Sequence, residues 1–88
     1  MDQYEWADDK NAANRLKHGV SFDLILKFDW HGAVLRRDDR FEYGEERLMG
    51  YSRIDGVPYA VAFVRRNGRV RIISMRRMHL KETKRHGI

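Results

Sequence analysis

The 88-residue chain has no cysteine, one proline and no apolar run near the roughly 18 residues that a membrane span requires. Without cysteine, neither a disulfide scaffold nor a thiolate metal site can be built, so stability must come from packing or from a bound partner. The acidic start lacks the basic and apolar pattern of a secretory leader, which points to a soluble, cytoplasmic protein. No Walker pattern, dinucleotide fingerprint or Gly-rich nucleophile turn is present. His79 and His86 stand seven apart, about 10 Å along a helix, too far to share one metal. No metal and no cofactor is therefore expected.

What the chain has in quantity is positive charge, concentrated at one end. From Arg65 onward nine Lys or Arg face the single acid Glu82, whereas the first 64 residues carry nine bases against twelve acids. A field pointing one way attracts a polyanion, with RNA or DNA first and an acidic protein second. The 42% hydrophobic content suffices for one core, so residues 1–88 are expected to form one small domain.

Two helices are legible first. Asp8 suits an N-cap, Ala12, Ala13 and Leu16 recur at helical spacing, and Gly19 supplies a stop, which predicts a helix over Asp9–His18. Ser21 then caps a second helix running to about Phe28, with Val20 placed to staple onto Ile25. Tyr4 and Trp6 lie in a short extended segment suited to an edge strand. Ala33–Arg37 is a weak strand, the polar stretch from Asp38 to Glu45 a loop turning at Gly44, and Arg47–Ile54 a clear strand by alternation. Asp55-Gly56 and Asn67-Gly68 are hairpin turns that bound a central, doubly covered strand over Val57–Val64. Arg69–Arg77 returns as the last strand, and a basic helix over Met78–His86 closes the chain. The fold class is α+β: two N-terminal helices packed on an antiparallel sheet of about four strands, with a short C-terminal helix.

Alternation in the last strand places Val70, Ile72, Ser74 and Arg76 on one face and Arg69, Arg71, Ile73, Met75 and Arg77 on the other. Arg76 thereby shares a face with apolar residues and is expected to line a cleft, where its planar fork suits a phosphate. Lys17 and His18 end the first helix. The helix dipole alone accounts for cations there, but a histidine near the arginine sheet also suits proton transfer. Cleavage of RNA through its own 2′-hydroxyl needs a base, an acid and positive charge, and these residues furnish them. Asp38-Asp39 between Arg37 and Arg40 reads as an ion-paired loop, His31 as a solvated turn residue, and Glu46 as a charged strand entry or a group that orients an arginine.

The ordered set Trp6-Ala7-Asp8-Asp9-Lys10-Asn11, Lys17-His18-Gly19-Val20-Ser21-Phe22, Gly44-Glu45-Glu46-Arg47, Gly50, Asp55-Gly56, Arg71-Ile72-Ile73-Ser74-Met75-Arg76 and Glu82 resembles the BrnT toxins. The resemblance extends from about Tyr4 to Arg85. It implies a RelE-like fold and the ribonuclease half of a type II toxin-antitoxin pair, a metal-independent endoribonuclease of the mRNA-interferase type. The implied partner is a BrnA-like ribbon-helix-helix antitoxin in a hetero-oligomer. Carried onto this sequence, it places catalysis at His18, Glu46, Arg71 and Arg76, with Lys17, Arg47 and His86 contacting RNA; the charge of the tail adds Arg65, Arg69 and Arg77 as RNA-binding residues and leaves Lys81, Lys84 and Arg85 open between RNA binding and antitoxin docking. Met75 stands where the family usually has a small residue, and His86 near where it commonly has a tyrosine. The alternative is a noncatalytic RNA-binding or antitoxin-docking module that has lost nuclease activity.

Overall fold

A computed structural model describes residues 3–40 and 44–88. The elements are β1 (Tyr4–Glu5), α1 (Asp8–His18), a 3-10 helix (Phe22–Lys27), β2 (Val34–Arg37), β3 (Leu48–Ile54), β4 (Val57–Arg66), β5 (Arg69–Arg77) and α2 (Leu80–His86). Five strands form one sheet in the order β1-β5-β4-β3-β2. β1 runs parallel to β5 and all other pairs are antiparallel. The expected four-stranded antiparallel sheet is thus a mixed sheet of five. The extended segment at Tyr4 is the fifth strand, and it pairs parallel because α1 and the later strands intervene before the chain returns beside it.

The expected second helix is a 3-10 helix, with Ser21 at its N-cap position but making no side-chain cap bond. Its six residues drive Phe22 and Ile25 into the core together with Val20. Three-residue periodicity places Phe22 and Ile25 one above the other. Asp8 is the first residue of α1 rather than its cap, and Asp8 and Asp9 both sit in the first turn, where the helix dipole favours acids. The Asp38–Glu45 loop is described except at residues 41–43, which lie outside the described residues. Its ion pairs Arg40–Asp38 at 2.9 Å and Arg37–Asp39 at 3.0 Å are those expected.

Both hairpin turns form as read. Asp55 and Gly56 have φ of 50° and 80°, Asn67 and Gly68 of 54° and 75°, the left-handed pair that matches the twist of the flanking strands. β4 is buried on both faces from Tyr59 to Val64. One face carries Tyr59, Val61 and Phe63 into the main core with Ile54, Ile72 and Met75. The other packs Ala60 with Tyr51 and Met78, flanked by Val34, Met49 and Ile88.

The apolar positions of α1 do not form its buried face. Ala12, Ala13 and Leu16 face outward, with Leu16 91% exposed, and the inward face carries Asn14. The Asn14 amide donates to Met75 O at 2.8 Å and Val20 O at 2.9 Å and accepts from Met75 N at 3.1 Å. It thereby replaces a strand partner on the outer edge of β5, where β1 pairs only Val70 and Arg71. The helix docks through hydrogen bonds to an edge backbone, so its apolar spacing does not mark the buried face.

Candidate functional site

A β-bulge decides which side chains of β5 face the site. Phe63 pairs with Ile72 and Ala62 with Ser74, so Ile73 is the extra residue. The alternation switches there. Ile72 and Met75, at 1% and 0% exposure, both enter the core, while Ser74 and Arg76 turn to the opposite face. The expectation that Arg76 shares a face with Val70 and Ile72 is therefore corrected: Arg76 lines a cleft, but on the side away from the main core.

On that face, Arg36, Arg37, Asp38, Arg40, Arg47, Met49 and Tyr51 from β2, β3 and their connection line a cavity of about 360 Å³. β5 contributes Ser74 and Arg76, and α2 contributes Glu82, Arg85 and His86. Arg76 donates to both carboxylate oxygens of Glu82, at 2.6 and 2.8 Å. Glu82 also accepts the His79 backbone N–H at 3.0 Å. The Arg76 hydrogen bonds lower the Glu82 pKa to about 2, so Glu82 is a carboxylate throughout the physiological range and holds Arg76 in place. One turn further along α2, the His86 ring stacks on Tyr51 at 3.8 Å and 10°. Burial pushes the Tyr51 phenol up, and the Glu82 charge adds to the shift.

A second cavity, of about 330 Å³, opens between α1 and β5, lined by Lys10, Lys17, His18, Ile73, Ser74 and Arg76 among others. The His18 pKa is lowered from its ordinary 6.5, chiefly by burial and further by the charges of Lys17 and Arg76. A neutral imidazole at pH 7 can accept a proton.

The structure gathers His18, Lys17, Arg76, Arg47 and His86 around these two adjoining cavities. It does not bring in the others. Arg71 lies five residues from Arg76 along β5, about 15 Å at strand spacing, pairs with Glu5 at 2.9 Å and lines neither cavity. Arg69 lies 3.7 Å from the same Glu5. Arg65 is exposed beside the second hairpin, and Arg77, whose backbone partner is Tyr59, is exposed at the far end of β5. Glu46 is exposed and 3.8 Å from Arg37, at the entry to β3. Sequence reasoning gave no site role to Tyr51, Arg36 or Ser74 and left Arg85 open between RNA binding and antitoxin docking, although the Arg47–Ile54 alternation already placed Tyr51 on the face of Arg47. Glu82 entered as the single acid of the basic tail and as part of the resemblance, without a site role.

Over residues 6–82 the sequence matches the family described as "Ribonuclease toxin, BrnT, of type II toxin-antitoxin system". The chain belongs to the BrnT toxin family. No curated protein matches it beyond that family description. Membership of this family implies an antitoxin partner and an RNA substrate. Among the described residues no helix is long and apolar enough to cross a membrane.

Proposed function

We propose that this BrnT-family chain is a metal-independent endoribonuclease acting in the cytoplasm and that its site lies at Arg76. The observation that carries this reading is the juxtaposition of His18, held below its ordinary pKa, with a guanidinium fixed by Glu82. His18 takes the proton of the RNA 2′-hydroxyl. The 2′-oxygen attacks phosphorus, the P–O5′ bond breaks, and the leaving 5′-oxygen takes a proton from an acid or water. Arg76 faces the charge that builds on the phosphoryl oxygens, a stabilisation worth about two to three orders of magnitude in comparable sites. Lys17 and Arg47 position the strand. Chemistry through the 2′-hydroxyl needs no metal once base and positive charge come from the protein.

The protein partner is a BrnA-like ribbon-helix-helix antitoxin whose acidic or apolar surface covers the basic face and adds stability by mass action. The five-stranded sheet flanked by helices suits a RelE-like classification. The test is to incubate the purified chain with naked RNA in excess EDTA. Cleavage leaving 2′,3′-cyclic phosphate ends, lost in H18A and R76A proteins that keep their circular dichroism, is expected. Intact RNA with a soluble, folded wild-type chain defeats the enzyme reading and favours a noncatalytic RNA-binding or antitoxin-docking module.

A further inference from the structure

We propose that the site is a two-subsite channel in which an RNA strand crosses β5 at Ser74 and Arg76, with a second phosphate subsite under α1 formed by Lys10 and Lys17. This rests on the ribonuclease reading above and extends it to the path of the substrate. The cavity of about 360 Å³ against β2 and β3 and that of about 330 Å³ against α1 share two lining side chains, Ser74 and Arg76. These two therefore form the ridge over which any ligand filling both cavities must pass. The Ser74 hydroxyl is half-buried on that ridge and makes no hydrogen bond among the described residues. It is positioned to donate to a phosphoryl oxygen at the crossing.

The two cavities differ in chemistry. The β2–β3 side carries aromatic rings, Tyr51 and His86, among arginines. Among the described residues the α1 side has no aromatic ring other than the His18 imidazole, and it offers Lys10 and Lys17. Lys10 and Lys17 are seven residues apart, two helical turns, and so project from one helix face. Neither ammonium forms an ion pair among the described residues, and both are exposed. Flexible point charges without a stacking surface suit backbone phosphate rather than base.

Chemistry then sets the direction of the strand. The 2′-hydroxyl that attacks belongs to the nucleotide on the 5′ side of the scissile phosphate, and His18 lies on the α1 side. The 5′ portion of the strand occupies the lysine cavity and the 3′ portion enters the arginine cleft.

The experiment measures fluorescence anisotropy of a 2′-O-methyl RNA hexamer, which cannot be cleaved, at several salt concentrations. The K10A/K17A double variant should bind about tenfold more weakly at low salt, with the log–log salt slope reduced by about 1.4, the value for two lost phosphate contacts on a single strand. Binding of a mononucleotide in the arginine cleft should be unchanged. S74A should weaken hexamer binding while leaving the unfolding midpoint unaltered. Wild-type affinity and slope in the double variant would overturn the lysine subsite while leaving the ribonuclease reading standing. A wild-type chain that neither binds nor cuts RNA removes both. A 4-thiouridine at the 5′ end should crosslink to α1, and crosslinking to β2 instead would reverse the assigned direction.

Discussion

At the scale of single residues, Glu82 and Asn14 hold neighbouring groups in place through hydrogen bonds. Glu82 accepts three hydrogen bonds, two from Arg76 and one from the His79 backbone. Its folded pKa of about 2 lies below the ordinary 4.5, so its contribution is fully present above pH 4.5 and is lost as pH falls toward 2. E82Q should remove that dependence: acid titration followed by circular dichroism should show a smaller loss of stability between pH 4.5 and 2 than in wild type. His18 carries the opposite charge logic but the same direction of loss. Its folded pKa lies below 6.5, so the acid limb of the cleavage profile should have its midpoint below 6.5, and H18A should abolish that limb with the activity. Asn14 is 6% exposed and satisfies Met75 N–H, Met75 C=O and Val20 C=O. N14L leaves all three unpaired and should cost about 2–4 kcal/mol, read as a drop in Tm of more than about 10 °C.

At the scale of elements, the hairpins and the last strand show what local pattern can carry. The Asp-Gly and Asn-Gly turns adopt positive φ at both central residues, as their composition demands. G68A, at φ 75°, should lose about 1 kcal/mol in chemical denaturation, with no change in RNA affinity. β4 reads correctly because near-continuous apolar residues fit a strand covered twice. β5 reads correctly in extent and wrongly in its faces beyond Ile72. Period-two counting has no term for a bulge, and nothing in Ile72-Ile73 resembles the glycine that often marks one. The 3-10 helix is legible as helical but not as 3-10, since its six residues leave i+3 and i+4 spacing nearly indistinguishable. α2 starts at Leu80 rather than Met78 because Met78 donates its N–H to Pro58 O at 2.9 Å and its side chain is buried with Tyr51.

At the scale of the whole molecule, the basic last quarter is not all available to a polyanion. Arg66 pairs with Glu45 and Arg69 and Arg71 pair with Glu5, whereas Arg76, held by Glu82, still lines both cavities. Arg65, Arg77, Lys81, Lys84 and Arg85 form no ion pair among the described residues. Folding thus uses acids from the N-terminal part of the chain, together with Glu82, to divide the charge into fixed and free halves. R69A and R71A should leave the salt slope of RNA binding essentially unchanged, whereas K17A and R85A, at residues that line the cavities, should each lower it by roughly 0.7. A common slope reduction in all four variants would show that the ion pairs dissolve when RNA binds.

The sequence by itself determined the α+β class, both hairpins, the doubly covered β4, the candidates His18 and Arg76, and the family resemblance, because each rests on local spacing or local composition. The tertiary structure alone decided the parallel fifth strand, the outward turn of Leu16, the bulge at Ile73 and the pairing of Arg71 with Glu5. Each of these depends on which groups find partners far along the chain. Asn14 and Met75 are 61 positions apart, and no periodicity within either element could announce their hydrogen bonds.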